Sequence, residues 1–191
     1  MMANGRAPST AVEVKGVALR GVLKDAKEHG GVARLMDAIP AEARRRYFGE
    51  TILHSVWYPY AAFASVLEAY DATSGRGSVS ALRELGARTA ARDQSSLLRV
   101  FALFTTPQRV ADAGCTVWEQ RFRGTGKMTV SDRIDRGWRL NIAFTGIHPL
   151  HCEFLTGYGL ASGKRWVESF SVQHDRCVHR GAADCSFHAH W

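Results

Sequence analysis

The chain has 191 residues, a formal net charge of +7 and 46% hydrophobic residues. This length and composition predict one globular domain that can bury a core of its own. Charged residues interrupt the apolar stretches within a few positions, and the start of the chain lacks the basic flank and apolar run of an export signal. We therefore expect a cytoplasmic protein without a membrane span. The basic residues are spread along the chain and no DNA-binding motif accompanies them, which argues against a nucleic-acid partner.

The first two-thirds of the chain have the apolar spacing of helices. Residues 1–12 are predicted to be a disordered leader. A helical period over residues 17–39 is broken at Gly30 and Gly31, which divides it into two helices, and Pro40 suits the first turn of a third. Further helices are predicted over residues 58–70, over residues 81–92 and from Pro107 towards Trp118, with an apolar continuation over residues 97–104.

After Gly124 the apolar period changes from that of a helix to that of a strand. Alternation over residues 127–135 and 138–144, on either side of a tight turn, predicts a β-hairpin. A short helix over residues 152–162 and two strands, over residues 166–174 and 186–191, complete the pattern. The prediction is one α+β domain over residues 13–191. Its helical part (13–123) precedes an antiparallel sheet with one inserted helix (124–191).

The C-terminal part of the chain is rich in cysteine and histidine, which bind zinc in closed four-ligand structural sites. Four cysteines in a chain without an export signal are predicted to be reduced thiols or metal ligands rather than disulfides. Cys152 opens the inserted helix, and Cys177 and Cys185 flank the turn of the last hairpin, so these three thiols can meet. His174 is the first choice for a fourth ligand. The competitors for that position are His151, His148, His179 and Asp175.

A family resemblance appears at these same residues. The segment HPLHCEFLTGYGLASG begins at His148 and is followed by Cys177, Cys185 and an aromatic end at Trp191. This pattern resembles the 4-vinyl reductase domain, which is also the sensor domain of aromatic-responsive bacterial activators. The LRELG segment at residues 82–86 is similar to a group of stand-alone domains from myxobacteria.

The resemblance implies a fold, a metal and a ligand. The fold is that of ligand-binding domains in nitric-oxide signalling and Golgi transport, whose members dimerise through the helical part. The implied metal is a structural zinc held by Cys152, Cys177 and Cys185, with His174 at or beside the position of an acidic ligand. The implied function is a stand-alone regulatory or carrier domain that binds a small apolar or aromatic molecule between helices and sheet. The side chains expected around that molecule are Trp118, Phe122, Trp138, Phe144, Tyr158 and Phe170.

The sequence leaves two alternative functions open for the same cavity, a biosynthetic enzyme and a haem or tetrapyrrole protein. A biosynthetic enzyme could draw an acid-base set from His148, His151 and Glu153. The sequence has no dinucleotide fingerprint, however, because its glycines fall inside the inserted helix at the wrong spacing. We therefore assign no catalytic residue. A haem or tetrapyrrole protein could use His54 or His148 as an axial ligand beside an apolar cavity.

Overall fold

The computed structural model describes residues 11–75, 79–93, 106–143 and 146–191. The helices form the first part of the domain, and the larger sheet, with one helix before its last two strands, forms the second. No described helix is long and apolar enough to cross a membrane. The helices are α1 (Gly16–Gly30), α2 (Val32–Ala38), α3 (Ala41–Phe48), α4 (Tyr60–Tyr70), α5 (Val79–Asp93), α6 (Pro107–Arg121) and α7 (Pro149–Lys164).

Local sequence explains where several helices begin and end. Gly31 has a φ of 81° between α1 and α2, a backbone conformation that glycine adopts at no steric cost. Helices α6 and α7 both begin with proline, whose missing N–H is one of those that a helix start leaves unpaired. The Nδ1 atom of His148 accepts a hydrogen bond from the backbone N–H of Leu150 at 3.3 Å, which caps α7.

The strands form two antiparallel sheets. In the larger sheet the order is β4-β5-β7-β6, and in the smaller one it is β2-β1-β3. Residues on one face of the larger sheet point towards the helices, and Leu140 and Phe187 form one cross-strand pair on that face. The strands are β1 (Glu13–Lys15), β2 (Trp57–Pro59), β3 (Phe122–Arg123), β4 (Met128–Ile134), β5 (Gly137–Ile142), β6 (Ser171–Arg176) and β7 (Cys185–His190).

Helices α5 and α7 cross at unusually close range. A Cβ added at Gly157 would lie 1.9 Å from the carbonyl oxygen of Arg83, and one added at Gly86 would lie 2.0 Å from that of Phe154. Only glycine permits this approach of two helix backbones. The crossing fixes the position of α7, and with it the position of Cys152 and Tyr158 on that helix.

The architecture confirms the predicted α+β fold, including the helix inserted in the sheet part of the chain and the hairpin β4–β5. Two details of the prediction were wrong. The strand expected over residues 166–174 begins only at Ser171, because α7 runs on to Lys164 and a turned segment follows it. The small sheet was missed because strands of two or three residues show no alternation. The leader at residues 1–12 and the apolar continuation at residues 97–104 lie almost wholly outside the described residues and stay predictions.

Candidate metal centre and ligand cavity

Three cysteine sulfurs meet where α7 packs on the hairpin of β6 and β7. The distance between the sulfurs of Cys152 and Cys185 is 3.7 Å, between Cys177 and Cys185 3.6 Å, and between Cys152 and Cys177 4.0 Å. These separations are too long for a disulfide, whose sulfurs lie about 2 Å apart. Sulfurs that bind one zinc ion tetrahedrally, each at about 2.3 Å from the metal, lie about 3.8 Å apart. The three thiols therefore already have the spacing of such a site.

His174 supplies the fourth side chain of the cluster. One of its ring nitrogens lies within 4.8 Å of each sulfur. We call these four side chains the Cys3His group. Its Nε2 atom is buried and has no hydrogen-bond partner of normal geometry among the described residues. Its ring stacks on that of Phe187, with centroids 4.6 Å apart and planes 12° from parallel. The stacking thus holds the imidazole in one orientation beside the three sulfurs, where a buried ring nitrogen suits a metal ligand.

The competing fourth ligands have other partners. The Nδ1 atom of His151 lies 3.0 Å from the hydroxyl of Tyr60, and the Nε2 atom of His148 lies 3.0 Å from a carboxylate oxygen of Glu68. Asp175 forms an ion pair with Arg139 on the sheet surface. His179 does not belong to the group of described side chains that surrounds the three sulfurs. The geometry therefore favours His174, as the spacing of the sequence did.

The local sequence of the hairpin of β6 and β7 explains how the thiols of Cys177 and Cys185 come together. Cys177 follows the last residue of β6, and Cys185 begins β7 after a turn in which Gly181 has a φ of 87°. The backbone N–H of Val178 donates to the sulfur of Cys185 at 3.4 Å. Such hydrogen bonds favour a thiolate. The turn therefore both closes the hairpin and prepares an anionic sulfur.

The pKa values of the thiols depend on one another. The hydrogen bond with Cys152 lowers the pKa of Cys185, and the same bond, followed by burial, raises the pKa of Cys152 well above the usual range. One thiolate is thus stabilised by the neighbouring thiols, whereas a second thiolate at these sulfur–sulfur distances would be strongly repelled by the first. A divalent cation would remove that repulsion, which is the chemistry that three clustered cysteines offer to zinc.

His151 lies beside the cluster in a cage of aromatic rings. It is fully buried, and its ring centroid lies 4.9 Å from that of Phe63 and 5.1 Å from that of Phe122. Burial, and to a smaller degree the nearby His148, lowers the pKa of His151 to about 3. The imidazole is therefore neutral near pH 7 and is part of the core. It does not form an acid-base set with Glu153, whose carboxylate pairs with Arg83 at 2.8 Å.

A cavity of about 430 Å³ lies between the helices and the inner face of the larger sheet. Helices α6 and α7 form one wall and strands β5 and β7 form another, as the positions of the lining residues show. Its surface is predominantly apolar, which is typical of sites for small organic molecules. Five of the six side chains predicted to surround a ligand lie in this wall: Trp118, Phe122, Trp138, Tyr158 and Phe170. The sixth, Phe144, lies outside the described residues.

The charged side chains of the cavity wall were not foreseen from the sequence. They are Arg109, Arg121 and Arg165. Arg121 forms an ion pair with Asp93, whose carboxylate also accepts a hydrogen bond from the hydroxyl of Tyr158 at 3.0 Å. Burial, followed by the charge of Asp93, raises the pKa of Tyr158, so this hydroxyl stays protonated. No sequence motif marks these arginines, because two lie at opposite ends of α6 and the third follows the end of α7, and only the fold brings these positions to one wall.

The cavity and the cysteine cluster share structural elements. Phe187 lines the cavity, and its ring stacks on that of His174 in the cluster. Helix α7 carries Cys152 in its first turn and Tyr158 in the cavity wall. The two features are therefore parts of one assembly of helix and sheet.

Comparison with known proteins identifies the fold. No protein-family model matches the chain, and no curated protein matches it significantly. Among solved structures, the unliganded Fe(II) H-NOX protein from K. algicida is 11% identical, with a TM-score of 0.65 over 92% of this chain and 95% of that one. The H-NOX protein from S. oneidensis in the Fe(II)NO ligation state is 12% identical, with a TM-score of 0.64 over 92% and 97%.

A further match is a structure solved to probe the function of haem distortion in the H-NOX family. It is 11% identical, with a TM-score of 0.60 over 93% of this chain and 94% of that one. The chain thus has an H-NOX-like fold along almost its whole length. This agrees with the nitric-oxide-signalling type of fold that the sequence predicted.

Proposed function

We propose that the protein is a small-molecule-binding regulatory or carrier domain that holds a structural zinc ion and takes an apolar or aromatic ligand between helices and sheet. The observation that carries the zinc part is the spacing of the three sulfurs, 3.6 to 4.0 Å, with a ring nitrogen of His174 within 4.8 Å of each of them. These residues would hold the ion, which would join α7 to the hairpin. With four protein ligands the ion would have no open coordination position. The similarity to 4-vinyl reductase domains stays a prediction on which this proposal draws.

The cavity supports the ligand part of the proposal. A volume of about 430 Å³ falls in the range of sites for small organic molecules. The wall is built from large aromatic side chains such as Trp118 and Trp138, which give extensive contact area to a flat or branched apolar ligand. No step of bond making is needed for a domain of this kind, since binding alone can bias its conformation.

Haem is the second candidate ligand, and the fold favours it because the similar H-NOX structures include studies of Fe(II) states and haem distortion. The wall of the cavity fits haem poorly. Its described lining contains neither histidine nor cysteine, and the segments outside the described residues have neither residue in their sequence. Tyr158 donates to Asp93 and keeps its proton. The usual strong axial ligands, an imidazole or a thiolate, are thus missing from this wall.

The histidines first considered for haem lie elsewhere. His54 is exposed in the segment before β2. His148 lines a second and more open hollow beside Tyr60, where its ring pairs with Glu68. An iron bound there would have to displace that carboxylate and would lie away from the aromatic cavity. The residues therefore favour an organic ligand without a coordinated metal.

One sample tests the zinc and haem proposals together. We would measure the metal content of the purified protein and record its visible spectrum before and after haem is added. We expect about one zinc per chain and no haem band in either spectrum, because the Cys3His group fits zinc and the described cavity wall offers neither an imidazole nor a thiolate as axial ligand. Cys177→Ser should abolish the bound zinc and lower the melting temperature. Cys115→Ser is the matched control, since Cys115 lies on α6 outside the cluster.

The outcomes are distinct. Equal zinc content in wild type and Cys177→Ser would overturn the structural-zinc proposal. A sharp haem band that forms at one equivalent would overturn the preference for an organic ligand. The homodimer that the resemblance implies is a separate prediction. If it is right, light scattering should give a mass of about twice the 21.1 kDa of the chain.

A further inference from the structure

The charges of the cavity wall all have the same sign. The described lining includes three arginines and no aspartate, glutamate or lysine. In a wall that is otherwise mostly apolar, these guanidinium groups are the positions at which a ligand can meet a full charge. The wall thus differs from one that is built for a neutral hydrocarbon.

Two of these arginines have no compensating carboxylate. Arg121 is neutralised by Asp93. Arg109 and Arg165 form no ion pair with any described acidic residue, and the segments outside the described residues contain no aspartate or glutamate in their sequence. Two positive charges beside an apolar cavity therefore lack a partner within the chain.

Arg109 and Arg165 occupy the opening of the cavity rather than its depth. Arg109 lies in the first turn of α6, Arg165 follows the last residue of α7, and both are exposed. Wall residues such as Trp118 and Phe154 are buried. The cavity therefore has an apolar interior and a cationic edge.

We infer that the ligand is an amphiphile: an apolar or aromatic body with one anionic group, a carboxylate being the commonest such group. Its body lies against the buried aromatic rings, and its anionic group lies against Arg109 and Arg165. Guanidinium groups match the geometry of a carboxylate through paired N–H donors. This inference rests on the proposed function, since it names the class of molecule that the same cavity takes.

The experiment compares two fluorescent dyes that share one apolar body. Anilinonaphthalene sulfonate carries an anionic group, and N-phenylnaphthylamine is its neutral counterpart. We would titrate both dyes into the full chain and into Arg109→Gln, Arg165→Gln and the double variant. The control is Arg45→Gln, because Arg45 is exposed on α3 away from the cavity and its loss changes the net charge equally. Melting curves would show that each variant is folded.

We expect the sulfonate dye to bind more tightly than the neutral dye. Each single substitution at the opening should weaken the sulfonate dye about fivefold, as for a partly exposed ion pair, and leave the neutral dye unchanged. The Arg45 variant should behave as wild type. About 1 M salt should remove most of the preference, since the opening is exposed to solvent.

Two results would overturn the inference in different ways. If both dyes bind equally, or if the Arg45 variant loses as much affinity as the others, the cavity has no anionic preference and the proposed apolar site still stands. If neither dye binds at a defined stoichiometry, the ligand cavity itself is refuted together with the inference.

Discussion

Asp25 shows how single residues hold the helical part together. It lies on α1, is fully buried, and forms ion pairs with Arg88 at 2.9 Å and with Arg92 at 3.1 Å, both on α5. Burial lowers the pKa of Arg88, but the hydrogen bond and the charge of Asp25 outweigh it, and the pKa is raised. Arg88 also donates to the hydroxyl of Tyr70 on α4 at 2.7 Å. The pair of Asp25 and Arg88 thus links three helices.

Replacing this carboxylate should be costly. Asp25→Ala removes the buried carboxylate between Arg88 and Arg92 and leaves these half-buried guanidinium groups only the exposed carboxylates of Glu84 and Glu28. We expect it to lower the free energy of unfolding by about 3 kcal/mol. Asp37→Ala is the matched control, because Asp37 is exposed and pairs with Arg44 at 3.4 Å, and its loss should cost less than about 1 kcal/mol. Urea unfolding at neutral pH measures both values. Equal losses in the two variants would contradict the role given to Asp25.

The sequence could predict the cysteine cluster but not this ion-pair network. Cysteine has few roles in a chain of this kind, so its position is informative. The three cysteines also lie where predicted elements begin and end: Cys152, Cys177 and Cys185. Asp25 belongs to no motif, and its arginine partners lie more than sixty positions away along the chain. His174 was the first choice for the fourth ligand because it precedes Cys177 by three residues. The position of His151 inside its cage of rings could not be predicted, because it depends on the packing of separate segments.

At the scale of elements, the close crossing of α5 and α7 positions the site. The two backbones touch at Gly86 and Gly157. Because α7 bears a ligand of the proposed metal and part of the cavity wall, a shift of this helix would move both. The helices themselves were predictable from a period of 3.6 residues, but their crossing was not, since the same glycines could be read as breaks or turns.

A methyl group at this crossing should separate the two helices. In Gly157→Ala the new Cβ would meet the backbone of Arg83 at 1.9 Å, where no side chain can move aside, and we expect a loss of about 3 kcal/mol or more. Gly21→Ala on α1 is the control, because its Cβ would find no atom closer than 3.9 Å and should stabilise the helix by about 0.5 to 1 kcal/mol. Thermal and urea unfolding would compare the two. A stable Gly157→Ala protein would mean that the helices do not cross this closely.

At the scale of the whole molecule, the fold joins the proposed zinc site to the cavity. The sequence predicted both features and the α+β order that brings them together. It could not predict that they share Phe187, since the contact depends on which face of β7 meets the helices. Strand β7 places Cys185 and Phe187 on the inner face, two residues apart, so one strand serves both sites.

This shared strand leads to a reciprocal prediction. If zinc holds α7 against the hairpin, removing it with a chelator should loosen the cavity wall and weaken the binding of N-phenylnaphthylamine by about tenfold, a coupling of about 1.4 kcal/mol. By the same thermodynamic linkage the bound dye should strengthen zinc binding about tenfold, which a chelator competition with and without dye would measure. The Cys115→Ser protein should respond as wild type, since Cys115 lies outside the Cys3His group. Dye affinity that is the same with and without zinc would show that the two sites are energetically independent, although they share Phe187 and α7.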